Sequence, residues 1–84
     1  MIENFFVYMI ECNDGYLYTG LTANIRKRFN QHKMGLDRNT KHRLPIKLVY
    51  LEKFLTRKDA AKREKEIKGW RREKKEKLIA TYTE

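Results

Sequence analysis

A single cysteine, Cys12, stands among the 84 residues. No intrachain disulfide can form and a structural zinc site would have one thiolate at most. A disulfide-stapled secreted scaffold and a zinc finger are therefore excluded, and a reducing, cytoplasmic setting is expected. Proline occurs once, at Pro45, and glycine four times, so there is no Pro/Gly-rich linker or low-complexity tail. Long apolar runs are absent too. Phe5 to Ile10 is far shorter than the roughly 20 residues of a membrane span. It follows the acidic start Met1-Ile2-Glu3-Asn4, not the basic n-region of a signal peptide. No His-x-x-x-His, paired cysteines or acidic triad exists, which argues against a preformed metal cage.

Positive charge is abundant. Twenty Lys and Arg stand against 11 Asp and Glu, a net charge of +9. Residues 57–77 alone hold eleven basic and five acidic side chains, which is +6 of that total. Such a field favours a polyanion, because neutralised phosphates release condensed counterions. Nucleic acid, with DNA favoured, is the expected partner; no membrane and no obligate protein partner is implied. The plain alternative is a solvated, highly charged helix face. Candidate phosphate-binding residues are Arg38, Lys41 and Arg43 in a polar stretch, and Lys62, Lys65, Arg71 and Lys75 in the basic segment.

The length allows one domain, 1–84, burying roughly 60% of its unfolded surface. Phe5 to Glu11 is apolar on both alternating sets and reads as a strand covered on both faces. Asn13-Asp14-Gly15 supplies a three-residue hairpin loop with a left-handed glycine, and Tyr16 to Gly20 returns as the second strand. Opposed positions then sum to 28, so Ile10 faces Tyr18 and Tyr8 lies diagonally from Tyr18 on one sheet face. Thr22 or Asn24 caps a helix that Gly35 ends, with Ile25, Arg28, Phe29 and His32 forming its inward stripe. Gly35 to Pro45 reads as a polar loop. Ile46 to Phe54 alternates Leu48 and Tyr50 against Val49 and Leu51 as a third strand. Thr56 to Asp59 has capping-box spacing and opens a helix to about Lys68, and a last helix runs from about Trp70 to Ala80. The order β-β-α-β-α-α gives an α+β fold, a small three-stranded antiparallel sheet flanked by helices.

Tyr8, Tyr18, Arg28, His32 and Glu64 form the candidate chemical set. A phenol, with an ordinary pKa near 10, becomes a base only where nearby positive charge favours phenolate, and Arg28 and the basic helices could supply it. An arginine on an inward stripe wants an anionic partner. His32 reads equally well as a satisfied hydrogen-bonding residue. Glu64 and Lys68 have ordinary i,i+4 pairing geometry, yet one carboxylate suffices for magnesium when substrate phosphate and water complete its shell.

Phe6-Val7-Tyr8 and Tyr18-Thr19-Gly20, followed by Arg28, His32 and Glu64 in order, resemble the GIY-YIG nuclease domain. The segment from Ala60 through Ile79 is similar to its small bacterial members of the UPF0213 or YhbQ-like type. The resemblance implies the three-stranded sheet, and a metal-dependent DNA endonuclease directed by structure or backbone. It implies that Tyr8 and Tyr18 line the cut site, one helping to deprotonate water, and that Arg28 stabilises the pentacovalent phosphate with His32 assisting. Glu64 would bind a single Mg²⁺ or Mn²⁺ together with substrate. The departures are Phe6 at the first glycine, Thr19 at the middle isoleucine, Leu21 where some relatives carry lysine, and no asparagine after Asn39. A non-catalytic nucleic-acid-binding module on the same fold is the main rival, and a protein-interaction module the third reading.

Overall fold

The computed structural model describes residues 4–82, and the acidic start Met1 to Glu3 lies outside them. The elements are β1 (Phe5–Cys12), β2 (Leu17–Thr22), α1 (Ile25–Lys33), β3 (Ile46–Phe54), α2 (Arg57–Lys68) and α3 (Arg72–Tyr82). The sheet has the order β2-β1-β3 with both pairings antiparallel. The expected order and fold class are both present.

The hairpin forms as its loop chemistry dictates. Cys12 N–H donates to the Tyr16 carbonyl and Gly15 N–H to the Cys12 carbonyl, each at 2.9 Å. Gly15 takes φ +88°, a left-handed conformation open to glycine at no steric cost. The loop sets the register at Ile10 opposite Tyr18 and Tyr8 opposite Gly20.

Being central, β1 is buried on both faces. Val7, Tyr8, Met9 and Ile10 are all fully buried. Val7 and Met9 look toward α2 and α3, packing with Leu17, Val49, Tyr50, Ala60 and Ile67. Tyr8, Ile10 and Cys12 look the other way, toward Ile25 and Phe29 of α1. Each large aliphatic fully buried in this way contributes roughly 1.5–3 kcal/mol.

The simple alternation expected of β3 does not hold. Met9 pairs with Tyr50 and Ile10 with Leu48, so Val49 is an extra residue at a bulge. Parity flips there: Leu48 and Leu51 share the α1 face, while Val49 and Tyr50 share the other.

Asn24 caps α1, its side chain accepting from Lys27 N–H at 3.1 Å, and Gly35 follows the helix at φ +77°. Thr56 caps α2 by accepting from Asp59 N–H at 3.1 Å. The last helix starts at Arg72, two residues later than the sequence suggests. Trp70 stands ahead of it, with Lys74 over its ring at 4.3 Å. Leu78 and Ile79 pack on the core as expected. Among the described residues, no helix is long and apolar enough to cross a membrane.

Candidate active site

Tyr8 of β1 and Tyr18 of β2 point to the same face of the sheet, and α1 lays Arg28 and His32 against them. Ring centroids lie 6.2 Å apart for Tyr8 and Tyr18, 5.7 Å for Tyr8 and His32, and 5.1 Å for Tyr18 and His32. Gly20 makes room for this cluster. A Cβ there would stand 2.5 Å from the Tyr8 ring carbon and hydroxyl, and that ring is held from its far end by two hydrogen bonds.

Arg28 Nε donates to the Tyr8 oxygen at 3.2 Å, Nη1 donates to Gln31 Oε1 at 3.1 Å, and Nη2 donates to the Asp37 carboxylate. The Tyr8 hydroxyl is hydrogen-bonded to His32 Nε2 at 3.0 Å, and His32 Nδ1 to Thr40 Oγ1 at 2.9 Å. When Tyr8 donates to Nε2, the imidazole is the tautomer whose Nδ1–H donates to Thr40. The result is a buried chain from Arg28 through Tyr8 and His32 to Thr40.

The electrostatics agree. Burial pushes the Tyr8 phenol up to about 12, outweighing the hydrogen bond from Arg28. This corrects the expectation that Arg28 would favour phenolate at this position: Tyr8 stays protonated. Burial and the neighbouring Arg28 charge hold the His32 imidazole below its ordinary value, so it is a neutral bridge, fully buried. Burial raises the Asp37 carboxyl, but the Asn39 N–H at 2.8 Å and Arg28 together hold it below the usual carboxylate range. Burial disfavours the Arg28 charge, yet contacts with Tyr8, Tyr18 and Asp37 more than restore it.

A pH dependence of stability follows. The unfolded chain protonates His32 as pH falls through about 6.5, whereas the folded protein resists, so stability is full above that value and declines below it. Asp37 has the depressed-carboxylate sign: its contribution is present above the unfolded value and is lost as pH drops through the folded one. Urea midpoints should therefore fall between about pH 7 and pH 5, with a second loss in the acid range. His32→Gln should flatten the first step. A wild-type midpoint that is level across that window would contradict the buried neutral imidazole.

Asp37 and Thr40 were not visible in the sequence as site residues. The stretch read as a polar loop is a series of turns in which Asp37 is 8% exposed and Thr40 fully buried. Its only sequence signal is an aspartate able to hydrogen-bond the backbone two residues on.

Glu64 stands on α2, across the sheet from α1. Its carboxylate is ion-paired with Lys68 Nζ at 3.1 Å and its side chain is 22% exposed. Lys68 in turn lines an open cleft with Tyr18, Asn39 and Lys75, so the lysine of the pair borders the space onto which Tyr18 opens. No hydrogen bond or ion pair joins Glu64 to Tyr8, Arg28 or His32 among the described residues. Nor do three His, Cys, Asp or Glu side chains cluster there as metal ligands. A lone half-buried carboxylate fits a hard cation that keeps water and takes phosphate oxygens, and fits no soft-metal site.

The basic candidates disperse. Arg43 is engaged with Asp14 at 2.6 Å and lies over the Tyr16 ring at 4.3 Å. Arg38 and Lys41 are exposed on the turns after α1. Lys62, Lys65, Arg71 and Lys75 make no ion pair among the described residues, whereas Arg63, Lys68, Arg72 and Lys77 do. Of those four unpaired cations, Lys75 lines the cleft beside Tyr18.

Comparison with known proteins identifies the family. Residues 4–77 match the GIY-YIG catalytic domain. A UPF0213 protein of Staphylococcus saprophyticus is 45% identical over 80 residues, covering 94% of this chain and 98% of that protein. One from Staphylococcus aureus is 43% identical, covering 93% and 96%. The solution structure of the UPF0213 protein from Bacillus halodurans has a TM-score of 0.63 at 37% identity, covering 93% of this chain and 84% of that one. A protein structure from E. faecalis gives 0.66 at 32%, covering 98% and 91%. The chain thus belongs to the GIY-YIG nuclease family, as a small member of the UPF0213 type.

Proposed function

We propose that the protein is a metal-dependent endonuclease that hydrolyses phosphodiester bonds in DNA, guided by backbone and shape with little base readout. The supporting observation is Arg28. Its guanidinium is oriented by Tyr8, Gln31 and Asp37, yet its side chain remains 29% exposed beside Tyr18. A preorganised cation open on one side suits the charge that builds on a phosphoryl group in the transition state. Tyr18, only partly buried, orients the attacking water and, in its phenolate form, would accept the proton that the water releases; fully buried Tyr8 aligns Arg28 instead. His32 acts through Tyr8, as a positioning residue. Glu64 would hold one Mg²⁺ or Mn²⁺, and the ion would supply Lewis-acid relief of charge on the phosphate being cut.

The two tyrosines therefore part company. Tyr18→Phe should lower cleavage by on the order of 10²-fold or more, the scale of lost general-base help, with folding intact. Tyr8→Phe strands His32 Nε2 and Arg28 Nε, so it should cost about 1–3 kcal/mol of stability as well as activity. Parallel urea melts and cleavage rates check this; a Tyr18→Phe protein of full activity would return Tyr18 to packing.

A non-catalytic nucleic-acid-binding module is the second reading, favoured by the pairing of Arg28 with Asp37 and of Glu64 with Lys68. Incubation with branched, nicked and supercoiled DNA, with and without Mg²⁺ or Mn²⁺, separates the two: cutting supports the first, and binding without cutting supports the second. Both share a binding prediction. Affinity should fall steeply with salt and vary little with sequence. Changing the unpaired Lys62, Lys65, Arg71 and Lys75 to Ala should flatten the salt slope by up to about 4. An affinity unchanged between low and moderate salt would contradict it.

A further inference from the structure

The outer edge of the sheet carries a cleft in which the cutting chemistry uses Tyr18 alone. β2 is an edge strand, and Tyr16 to Thr19 along it form one wall of an open space of about 370 Å³. Asn39 from the turns after α1, Lys68 from α2 and Lys75 from α3 complete the lining. Four separate segments thus bring one amide and two ammonium groups together, and among the described residues no carboxylate lines the cleft.

The wall also contains an unpartnered hydroxyl. Thr19 is 4% exposed, and its hydroxyl is buried without a hydrogen-bond partner among the described residues. Lys75 makes no ion pair there, and Lys68 shares its charge with Glu64 while its side chain remains 54% exposed. Cations and neutral donors around an open space of this size call for an anion rich in acceptor oxygens, and a phosphodiester has that chemistry. Tyr18 belongs both to this cleft and to the cluster with Tyr8 and His32, so a phosphate held here is a neighbour of one held at Arg28.

Building on the nuclease reading, we propose that the cleft binds a backbone phosphate of the nucleic acid next to the one being cut, and that Lys68 leaves Glu64 to meet it. The exchange couples two events. A phosphate at Lys68 and Lys75 frees the Glu64 carboxylate when substrate is present, so the cation site forms with the substrate and is masked without it. Lys68 is then a substrate-sensing residue as well as a phosphate ligand.

The test is a nuclear magnetic resonance titration of the full chain in EDTA with a short DNA duplex, a nucleoside monophosphate and inorganic phosphate. The duplex should shift the amides of Leu17 to Thr19 and Asn39 and the Lys68 ammonium. Lys68→Met and Lys75→Met should each weaken duplex binding roughly tenfold, and Lys68→Arg and Lys75→Arg should largely restore it. Shifts confined to the Trp70 and Lys74 surface, or Met variants that bind like wild type, would overturn the subsite. Inorganic phosphate or the monophosphate binding as tightly as the duplex would overturn its assignment to the nucleic-acid backbone. For the exchange, Mn²⁺-induced line broadening at Glu64 should need DNA in the wild type but not in Lys68→Met. Equal broadening of the wild type with and without DNA would overturn it. The duplex shifts are read without cleavage, so a protein that shows them and cuts nothing keeps the subsite and loses the nuclease assignment.

Discussion

Arg28→Ala should lower the cleavage rate by on the order of 10²–10³-fold, the scale on which one preorganised transition-state donor acts. The expectation rests on how this residue is held. Its three nitrogens are each committed, to Tyr8, Gln31 and Asp37, so the guanidinium cannot swing away to solvent. The same commitments complicate the variant, because truncation leaves Asp37 buried and unpaired, which is costly in its own right. The double variant Arg28→Ala/Asp37→Asn removes that stranded charge. It should recover most of the lost folding stability and none of the activity. If the double variant cuts as wild type does, Arg28 is a structural cation only.

Glu64→Gln should abolish cutting while sparing DNA binding. The change keeps size and helix propensity and removes the negative charge a hard cation requires. Lys68, released from its 3.1 Å pairing, becomes a free cation at the cleft, so binding to DNA should hold or tighten. Glu66 offers the control. It lies roughly 200° around α2 from Glu64 and pairs with Arg63, and Glu66→Gln should leave cutting unchanged. Filter binding and single-turnover cleavage, measured side by side, separate the two effects. Wild-type cutting by Glu64→Gln would remove it as the metal ligand.

Much of the fold was legible because local chemistry and global pattern agree. The Asn13-Asp14-Gly15 loop alone set the hairpin register, and with it the meeting of Tyr8 and Tyr18. Thr56 marked where α2 begins, Thr22 and Asn24 bracketed the start of α1 with Asn24 the cap in the fold, and the 0, 3, 4, 7 stripe put Arg28 and His32 against the sheet. What stayed hidden depends on tertiary placement. Strand order decides that Tyr8 is central and buried while Tyr18 sits on an edge strand, and nothing local distinguishes the two triplets. The bulge at Val49 is one extra residue in an evenly apolar run, invisible without its partner strand. Asp37 and Thr40 lack periodicity altogether; they become site residues only because the turns after α1 fold back onto Arg28 and His32. The scatter of the basic residues was equally unreadable, since charge density along a chain does not say which helix face each lysine takes.

The most direct measurement is single-turnover cleavage of a branched DNA duplex by the wild-type protein in Mg²⁺ or Mn²⁺, with an EDTA control and Glu64→Gln alongside. The account predicts phosphodiester cleavage by the wild type in metal, and none in EDTA or by Glu64→Gln. Equal cutting in EDTA, or binding by the wild type with no cleavage of branched, nicked or supercoiled DNA in either metal, would contradict it.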